Sequence, residues 1–195
     1  MVVSRIFTIG NAIKVMLLLG AFALIGVFAQ SCSGPKDPLE RFSIASLKKL
    51  TTLEAPPMRP SIAFKTLDGR GVTLSGYEGR IVLMNVWATW CPPCIAEMPS
   101  LDRLQSLRGG DDFIVVPISL DRTALDAAAW LKANNLKTLE SWHDGSFELT
   151  GKVKLPGLPT SILYDRNGRE VARVPGEVAW DSPEALALID HLIMQ

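Results

Sequence analysis

The sequence is poor in the residues that build a metal framework or a basic binding surface. Its 195 residues include three cysteines and two histidines, and 20 basic residues are balanced by 20 acidic ones. Balanced charge gives no basis for a nucleic-acid partner, because phosphate backbones are bound by surfaces with excess positive charge. So few cysteines and histidines also exclude a zinc framework with several ligands. We therefore expect no nucleic-acid partner, no bound metal and no cofactor.

Apolar residues are concentrated near the N-terminus. The run 15–29 reads VMLLLGAFALIGVFA, carries no charge, and is preceded by Arg5 and Lys14. A positive start followed by an apolar run is typical of an export signal, and extending the run back to residue 6 gives roughly the 20 residues that a membrane helix needs. Because basic residues stay on the cytoplasmic side, we expect the rest of the chain outside the cytoplasm.

Three fates of this N-terminal segment, residues 1–32, remain open. It can stay as an anchor in the cell inner membrane, with the rest of the chain in the periplasm. It can be cleaved after Ser31, or Cys32 can be lipidated after cleavage. Residues 33–60 contain SGPKDP and EAPPMRP, and proline at this density predicts a tether. A folded domain is expected over residues 61–195.

The order of strands and helices in this domain predicts an α/β fold. Two short β-prone runs flank Asp68-Gly69, which predicts a hairpin. A continuous apolar run over 81–87 indicates a strand covered on both faces, and helical spacing of apolar residues begins after it at Pro92. Further strands are predicted at 113–119, 161–164 and 170–174, and further helices at 123–134 and 185–193. We expect a central mixed sheet with helices on both faces and an extra N-terminal hairpin.

Two cysteines, Cys91 and Cys94, lie where the first buried strand gives way to the first helix. A helix N-terminus carries about half a positive charge, which stabilises a thiolate and lowers its pKa. Cys91 is therefore the predicted nucleophile, and Cys94, one turn further on, can resolve a mixed disulfide. A structural disulfide is the plainer alternative, but so short a loop removes little entropy from the unfolded chain. The pair could also bind Cu(I), a soft ion suited to thiolates, although the nearby Met98 belongs to the apolar stripe of the helix.

The segment VWATWCPPCIAEMP over residues 86–99 resembles the active site of the TlpA/ResA/CcmG group of membrane-tethered thioredoxin-like proteins. The resemblance extends over residues 61–195, and the segments GLPT at 157–160 and GEVAW at 176–180 look most like the TlpA branch. It implies a thioredoxin-like fold and a thiol-disulfide oxidoreductase.

The resemblance also implies roles for residues around the cysteines. Pro159 matches the cis-proline that faces the CxxC in this fold, so that Leu158 and Thr160 beside it would contact a bound partner. Trp90 would flank the thiols with Pro92 and Pro93, although Trp90 could instead be partly core.

An acidic residue also has a counterpart in the group. Glu97 matches a carboxylate three positions after the second cysteine, where it could exchange a proton with Cys94. A solvated glutamate is the equal alternative. Residues 143–145 are interpreted as loop, and Trp142 and Trp180 as packing.

By this resemblance, the expected function is reduction of partner-protein disulfides in cytochrome c or cytochrome oxidase copper-site maturation. The implied partners are disulfide-bearing extracytoplasmic proteins, either a copper-delivery protein or an apocytochrome c. The implied electron donor is a membrane protein of the DsbD/CcdA type. Two rival functions are a Cu(I)-delivery module and a peroxiredoxin-like peroxidase, but Thr89 is too close to Cys91 for the Thr-x-x-Cys pattern of the latter.

Overall fold

The computed structural model describes residues 37–195. The predicted anchor or signal segment, residues 1–32, lies outside the described residues. One compact unit runs from Leu39 to Gln195. Within 37–195, no helix combines the length and the apolar character needed to span a bilayer.

A seven-stranded mixed sheet organises this unit, in the order β2-β1-β5-β4-β3-β6-β7. The strands are β1 (Ala63–Thr66), β2 (Gly71–Thr73), β3 (Ile81–Trp87), β4 (Phe113–Ser119), β5 (Trp142–His143), β6 (Thr160–Tyr164) and β7 (Glu170–Pro175). The helices are α1 (Pro92–Arg108), α2 (Ala124–Ala133), α3 (Glu148–Lys152) and α4 (Pro183–Ile193), with 3-10 turns at Glu40–Phe42, Ala45–Leu47 and Leu74–Tyr77. β3 pairs in parallel with β4 and antiparallel with β6, as the predicted order of elements requires.

The central strand β3 divides the core because successive side chains of a strand point to opposite faces. Leu83 and Trp87 belong to a core on one face, whereas Met84 and Val86 belong to a second core on the other. Every residue of β3 is buried, which explains its nearly continuous apolar sequence.

Helices cover both faces of the sheet, as predicted. The larger core contains the buried apolar residues of α1, α2 and α4. The smaller core is closed by Leu149 of α3, together with Phe64 of the hairpin and Leu74. The thioredoxin-like fold and the N-terminal hairpin of β1 and β2 are confirmed.

The structure differs from the predicted tether over residues 33–60. From Leu39 onward this segment is part of the compact unit, and Leu47 and Leu50 are buried in the larger core. Thr51 also forms a backbone bridge with Arg173 of β7. The proline-rich segment contains a short apolar pattern that packs on the larger core through 3-10 turns, without a long helix.

Residues 142–152 also differ from the sequence-based interpretation. His143, predicted in a loop, ends the two-residue strand β5, which joins the hairpin to β4. The helix α3 follows and was not predicted. Both elements are too short for periodicity to reveal them.

Candidate active site

The two cysteines lie at the start of α1 and are joined as a disulfide. Cys91 is the N-cap residue with an extended backbone, and its carbonyl accepts hydrogen bonds from the backbone N–H groups of Cys94 and Ile95. Their Cα atoms are 5.2 Å apart. Cys94 is fully buried, whereas Cys91 retains 5% exposure. A reagent or partner therefore reaches Cys91 first, as the sequence predicts for the nucleophile.

The prolines between the cysteines change how the helix can stabilise a thiolate. Pro92 and Pro93 occupy the first turn, where proline is tolerated because that N–H has no partner within the helix. Without N–H groups they cannot donate to the Cys91 sulfur. The stabilisation therefore comes from the helix dipole rather than from hydrogen bonds of the first two helical residues.

The chain on either side of Cys91 exposes apolar side chains. Trp90 is 65% exposed, so the alternative that it belongs to the core is wrong. Pro92 and Pro93 are exposed, and Leu158 is half-buried. An exposed tryptophan beside two prolines offers a rigid apolar surface at the reactive sulfur.

The segment before β6 reaches the same edge of the sheet as the cysteines. Thr160 pairs with Val86 at the end of β3, and β3 leads directly to the active-site loop. The Leu158–Pro159 peptide is cis, which confirms the predicted conformation. The Pro159 carbonyl accepts from the Gly176 N–H at 2.8 Å, and the Thr160 hydroxyl donates to the Gly157 carbonyl at 2.8 Å. The Thr160 side chain thus holds the turn. Contact of Leu158 and Thr160 with a bound partner remains a prediction.

Glu97 is buried on α1, so the interpretation as a solvated glutamate is wrong. Its Oε1 accepts from the Trp180 indole N–H at 2.7 Å and from the Val178 backbone N–H at 3.2 Å. Its Oε2 accepts from the Asn85 amide at 3.1 Å. Burial raises the pKa of Glu97 to about 8, although these three donors act in the opposite direction. A carboxyl that titrates near neutral pH can both accept and release a proton at physiological pH.

Asn85 connects Glu97 to the neighbouring strand. Its amide N–H₂ donates to Glu97 and to Ser161, which it faces across the β3–β6 pairing, whereas its carbonyl oxygen has no hydrogen-bond partner. If the Asn85 amide rotates by half a turn, its carbonyl can accept a hydrogen bond from the protonated Oε2 of Glu97. The network therefore suits both protonation states of Glu97. An asparagine within the apolar run of β3 was the sequence signal for this network.

A second buried carboxylate, Asp121, holds the loop before the cysteines. It follows the end of β4 and accepts from both the backbone N–H and the hydroxyl of Thr89. Sequence analysis missed this residue. A polar side chain just beyond a strand parallel to β3 was the available signal, since parallel strands end at the same edge of a sheet.

The other residues singled out from the sequence pack in the two cores. Met98 is fully buried in the larger core, as its helical spacing predicts. Trp142 packs in the smaller core, whereas Trp180 both packs and donates to Glu97. Among residues 37–195, no three histidine, cysteine or acidic side chains are grouped so that they could hold a metal ion.

A CxxC disulfide at a helix N-terminus beside a thioredoxin-like sheet defines a thiol-disulfide oxidoreductase. Comparison with known proteins agrees with this class. The family model described as Redoxin matches residues 54–189, and the chain belongs to this family.

The relatives are similar in name and in structure. The thiol-disulfide oxidoreductase ResA of Oceanobacillus iheyensis is 32% identical over 130 residues, which cover 67% of each protein. A crystal structure assigned as the thiol:disulfide interchange protein DsbE of Chlorobium tepidum has a TM-score of 0.65 at 27% identity and covers 73% of this chain and 99% of that one.

A third similar structure is the exposed lipoprotein thioredoxin of Streptococcus pneumoniae, with a TM-score of 0.59 at 27% identity, covering 68% of this chain and all of that one. These names support the predicted ResA/CcmG group of thioredoxin-like proteins. The narrower likeness to the TlpA branch stays a prediction.

Proposed function

We propose that this protein is an extracytoplasmic reductant of disulfides in partner proteins. The observation that carries the proposal is the asymmetry of the cysteine pair. Cys91 is the accessible sulfur at the N-terminus of α1, and Cys94 is fully buried one turn away. Such a pair suits attack on an external disulfide followed by internal resolution.

In the first step, the Cys91 thiolate attacks one sulfur of the partner disulfide. The partner's S–S bond breaks, its other sulfur leaves as a thiolate, and a mixed disulfide joins the two proteins. The dipole of α1 stabilises the attacking thiolate. Pro92 and Pro93 have no N–H groups, so neither donates a hydrogen bond to that sulfur.

In the second step, Cys94 loses its proton and attacks the Cys91 sulfur. The mixed disulfide breaks, the Cys91–Cys94 disulfide forms, and the partner's second sulfur leaves as a thiolate, so that the partner departs reduced by two electrons. Glu97, three positions beyond Cys94, lies on the same side of α1. Because burial raises its pKa to about 8, its carboxylate is basic enough to take the Cys94 proton.

Partner binding is assigned to the apolar surface formed by Trp90, Pro92 and Pro93, with the half-buried Leu158 before the cis peptide at the adjacent edge. An extended segment of the partner would lie along the backbone at Leu158 and place its disulfide over Cys91. The exposed tryptophan supplies contact area without many rotatable bonds.

The predicted pathway follows from the group's implied role. The proposed partners are a copper-delivery protein or an apocytochrome c with a cysteine pair, and the proposed donor is a DsbD/CcdA-type membrane protein. The uncharged run 15–29 after Arg5 and Lys14 supports an N-terminal membrane attachment with the folded unit in the periplasm. The description of one relative as an exposed lipoprotein points the same way.

The two rival functions have no supporting observation. For Cu(I) delivery, Met98, the soft side chain near the cysteines in sequence, is fully buried in the core and adds no ligand. A peroxidase would need a threonine hydroxyl directed at the reactive cysteine, whereas the Thr89 hydroxyl donates to Asp121 at 2.7 Å.

Trapping of the mixed disulfide tests the proposal. Cys94→Ser should accumulate a covalent complex with a partner in cells, because the resolving sulfur is missing. Cys91→Ser is the matched control, since it retains Cys94 and Cys32 but lacks the accessible nucleophile. A thiol-sensitive complex with Cys94→Ser alone supports exchange with proteins. Equal complexes with both variants, or none with either, would contradict it.

A further inference from the structure

We propose that Asp121 is a positioning residue that fixes the active-site loop and, through its negative charge, makes the Cys91–Cys94 pair more strongly reducing. The inference rests on Cys91 being the reacting sulfur. It concerns a side chain that the exchange steps above do not use.

The contacts of Asp121 with the loop are direct. Its Oδ1 accepts from the Thr89 hydroxyl at 2.7 Å and from the Thr89 backbone N–H at 3.0 Å. Its Oδ2 accepts from the Ser119 hydroxyl at 2.8 Å, and that hydroxyl in turn accepts from the Asp121 N–H at 3.0 Å. The side chain thus joins the end of β4 to the residue two places before Cys91.

The carboxylate is buried and has only neutral hydrogen-bond donors. Asp121 is 1% exposed, and no described lysine, arginine or histidine forms an ion pair with it. From β5, the His143 ring contacts the backbone carbonyl of Asp121 at 2.9 Å. On its own segment, Arg122 and Asp126 are exposed. Burying a carboxylate without a cation costs free energy, which its contacts with Thr89 and Ser119 offset in part.

The charge bears on the redox equilibrium because of where it lies. Consecutive Cα atoms are about 3.8 Å apart, so Thr89 and Cys91 lie within about 7 Å. The Asp121 carboxylate, in hydrogen-bond contact with Thr89, is therefore about 10 Å from Cys91, and its buried negative charge disfavours a second one there. The disulfide carries no such charge, so Asp121 favours the oxidised form over the thiolate form. A pair whose reduced form is disfavoured is the stronger reductant.

Two substitutions separate the charge from the hydrogen bonds. Asp121→Asn removes the charge but keeps a carbonyl that can accept from Thr89. Thr89→Val removes one hydroxyl donor and leaves the charge. A unit charge about 10 Å away at an effective dielectric constant of about 20 changes an equilibrium about tenfold.

We therefore expect Asp121→Asn to shift the equilibrium of the pair with glutathione about tenfold toward the dithiol, which is about 30 mV. The pH midpoint of Cys91 alkylation should fall in parallel. Thr89→Val should change that equilibrium less than threefold. It should lower kcat/KM for insulin reduction several-fold, because the loop is less firmly held, and Thr89→Ser should restore it.

Each readout can overturn the proposal. An unchanged equilibrium in Asp121→Asn, or an equal shift in Thr89→Val, would contradict the role of the charge. Equal kcat/KM for Thr89→Val and Thr89→Ser would contradict the positioning role, and this pair also serves if Asp121→Asn does not fold. Wild-type protein that fails to reduce insulin would instead contradict the exchange activity itself.

Discussion

Trp180 donates its indole N–H to Oε1 of Glu97 over 2.7 Å. The two residues lie 83 positions apart, and both are almost completely inaccessible to solvent. The segment before α4 therefore closes over the middle of α1 and supplies a donor to its buried carboxyl. The Glu97 carboxyl, three residues from Cys94, is thus isolated from water. Only hydrogen-bond donors of the protein stabilise its ionised form.

Replacing Glu97 by glutamine should remove a pH dependence of stability. The pKa of Glu97 is about 8 in the folded protein, against 4.5 as its ordinary value. Between these values the unfolded chain releases the proton while the folded protein retains it, so stability falls as pH rises and levels off above about pH 8. The loss should be on the order of 5 kcal/mol in oxidised wild-type protein.

Denaturant unfolding of the oxidised forms from pH 4 to 9 measures this difference. Glu97→Gln should match the wild type near pH 5 and exceed its stability near pH 9. The Asn85 carbonyl, which has no partner, can accept from the new amide. Parallel curves for the two proteins over the whole range would show that Glu97 does not titrate as described.

Replacing Trp180 by phenylalanine should raise the pKa of Glu97 further. The indole N–H lowers that pKa by stabilising the carboxylate, and phenylalanine keeps a ring without the donor. The infrared absorption of the protonated Glu97 carboxyl should therefore persist to higher pH than in the wild type.

The matched control for this variant is Trp142→Phe. Trp142 is also buried, but its indole N–H has no hydrogen-bond partner. Its replacement should leave the Glu97 band at the wild-type pH. A similar displacement in both variants would mean that general loosening of the core, rather than the lost donor, changes the titration.

Leu47 should contribute to stability as a core residue, although it precedes the predicted start of the domain. It is fully buried, whereas Ile44 in the same segment is 56% exposed. Leu47→Ala should cost about 2–5 kcal/mol because it leaves a cavity. Ile44→Ala should change stability by less than about 0.5 kcal/mol. Equal, small effects in urea unfolding would mean that residues 39–60 behave as a tether.

The long elements of the fold could be predicted because their patterns are long. The apolar run over Ile81–Trp87 fills a whole strand, and the helical spacing of apolar residues after Pro92 continues over several turns. Each pattern is long enough to be recognised in the sequence. The strand β5 has two residues and α3 has five. Their positions depend on pairing with distant strands, which no local pattern contains.

The site was predictable to the extent that it is local. Cys91 and Cys94 belong to one motif, and the cis peptide at Pro159 followed from a resemblance. The burial of Glu97 could not be predicted, because its donors come from two distant parts of the chain, Asn85 on β3 and Val178 and Trp180 in the segment before α4. Polar residues inside apolar runs, such as Asn85, were the only local indication of that network.

The reactivity of Cys91 tests the central claim most directly. Reduced protein is treated with iodoacetamide at pH 7, and the modified cysteine is identified by mass spectrometry over time. The geometry predicts that Cys91 reacts at least tenfold faster than free cysteine while the buried Cys94 lags far behind. Modification of Cys91 no faster than free cysteine, or of both sulfurs at equal rates, would contradict the assignment of Cys91 as the activated nucleophile.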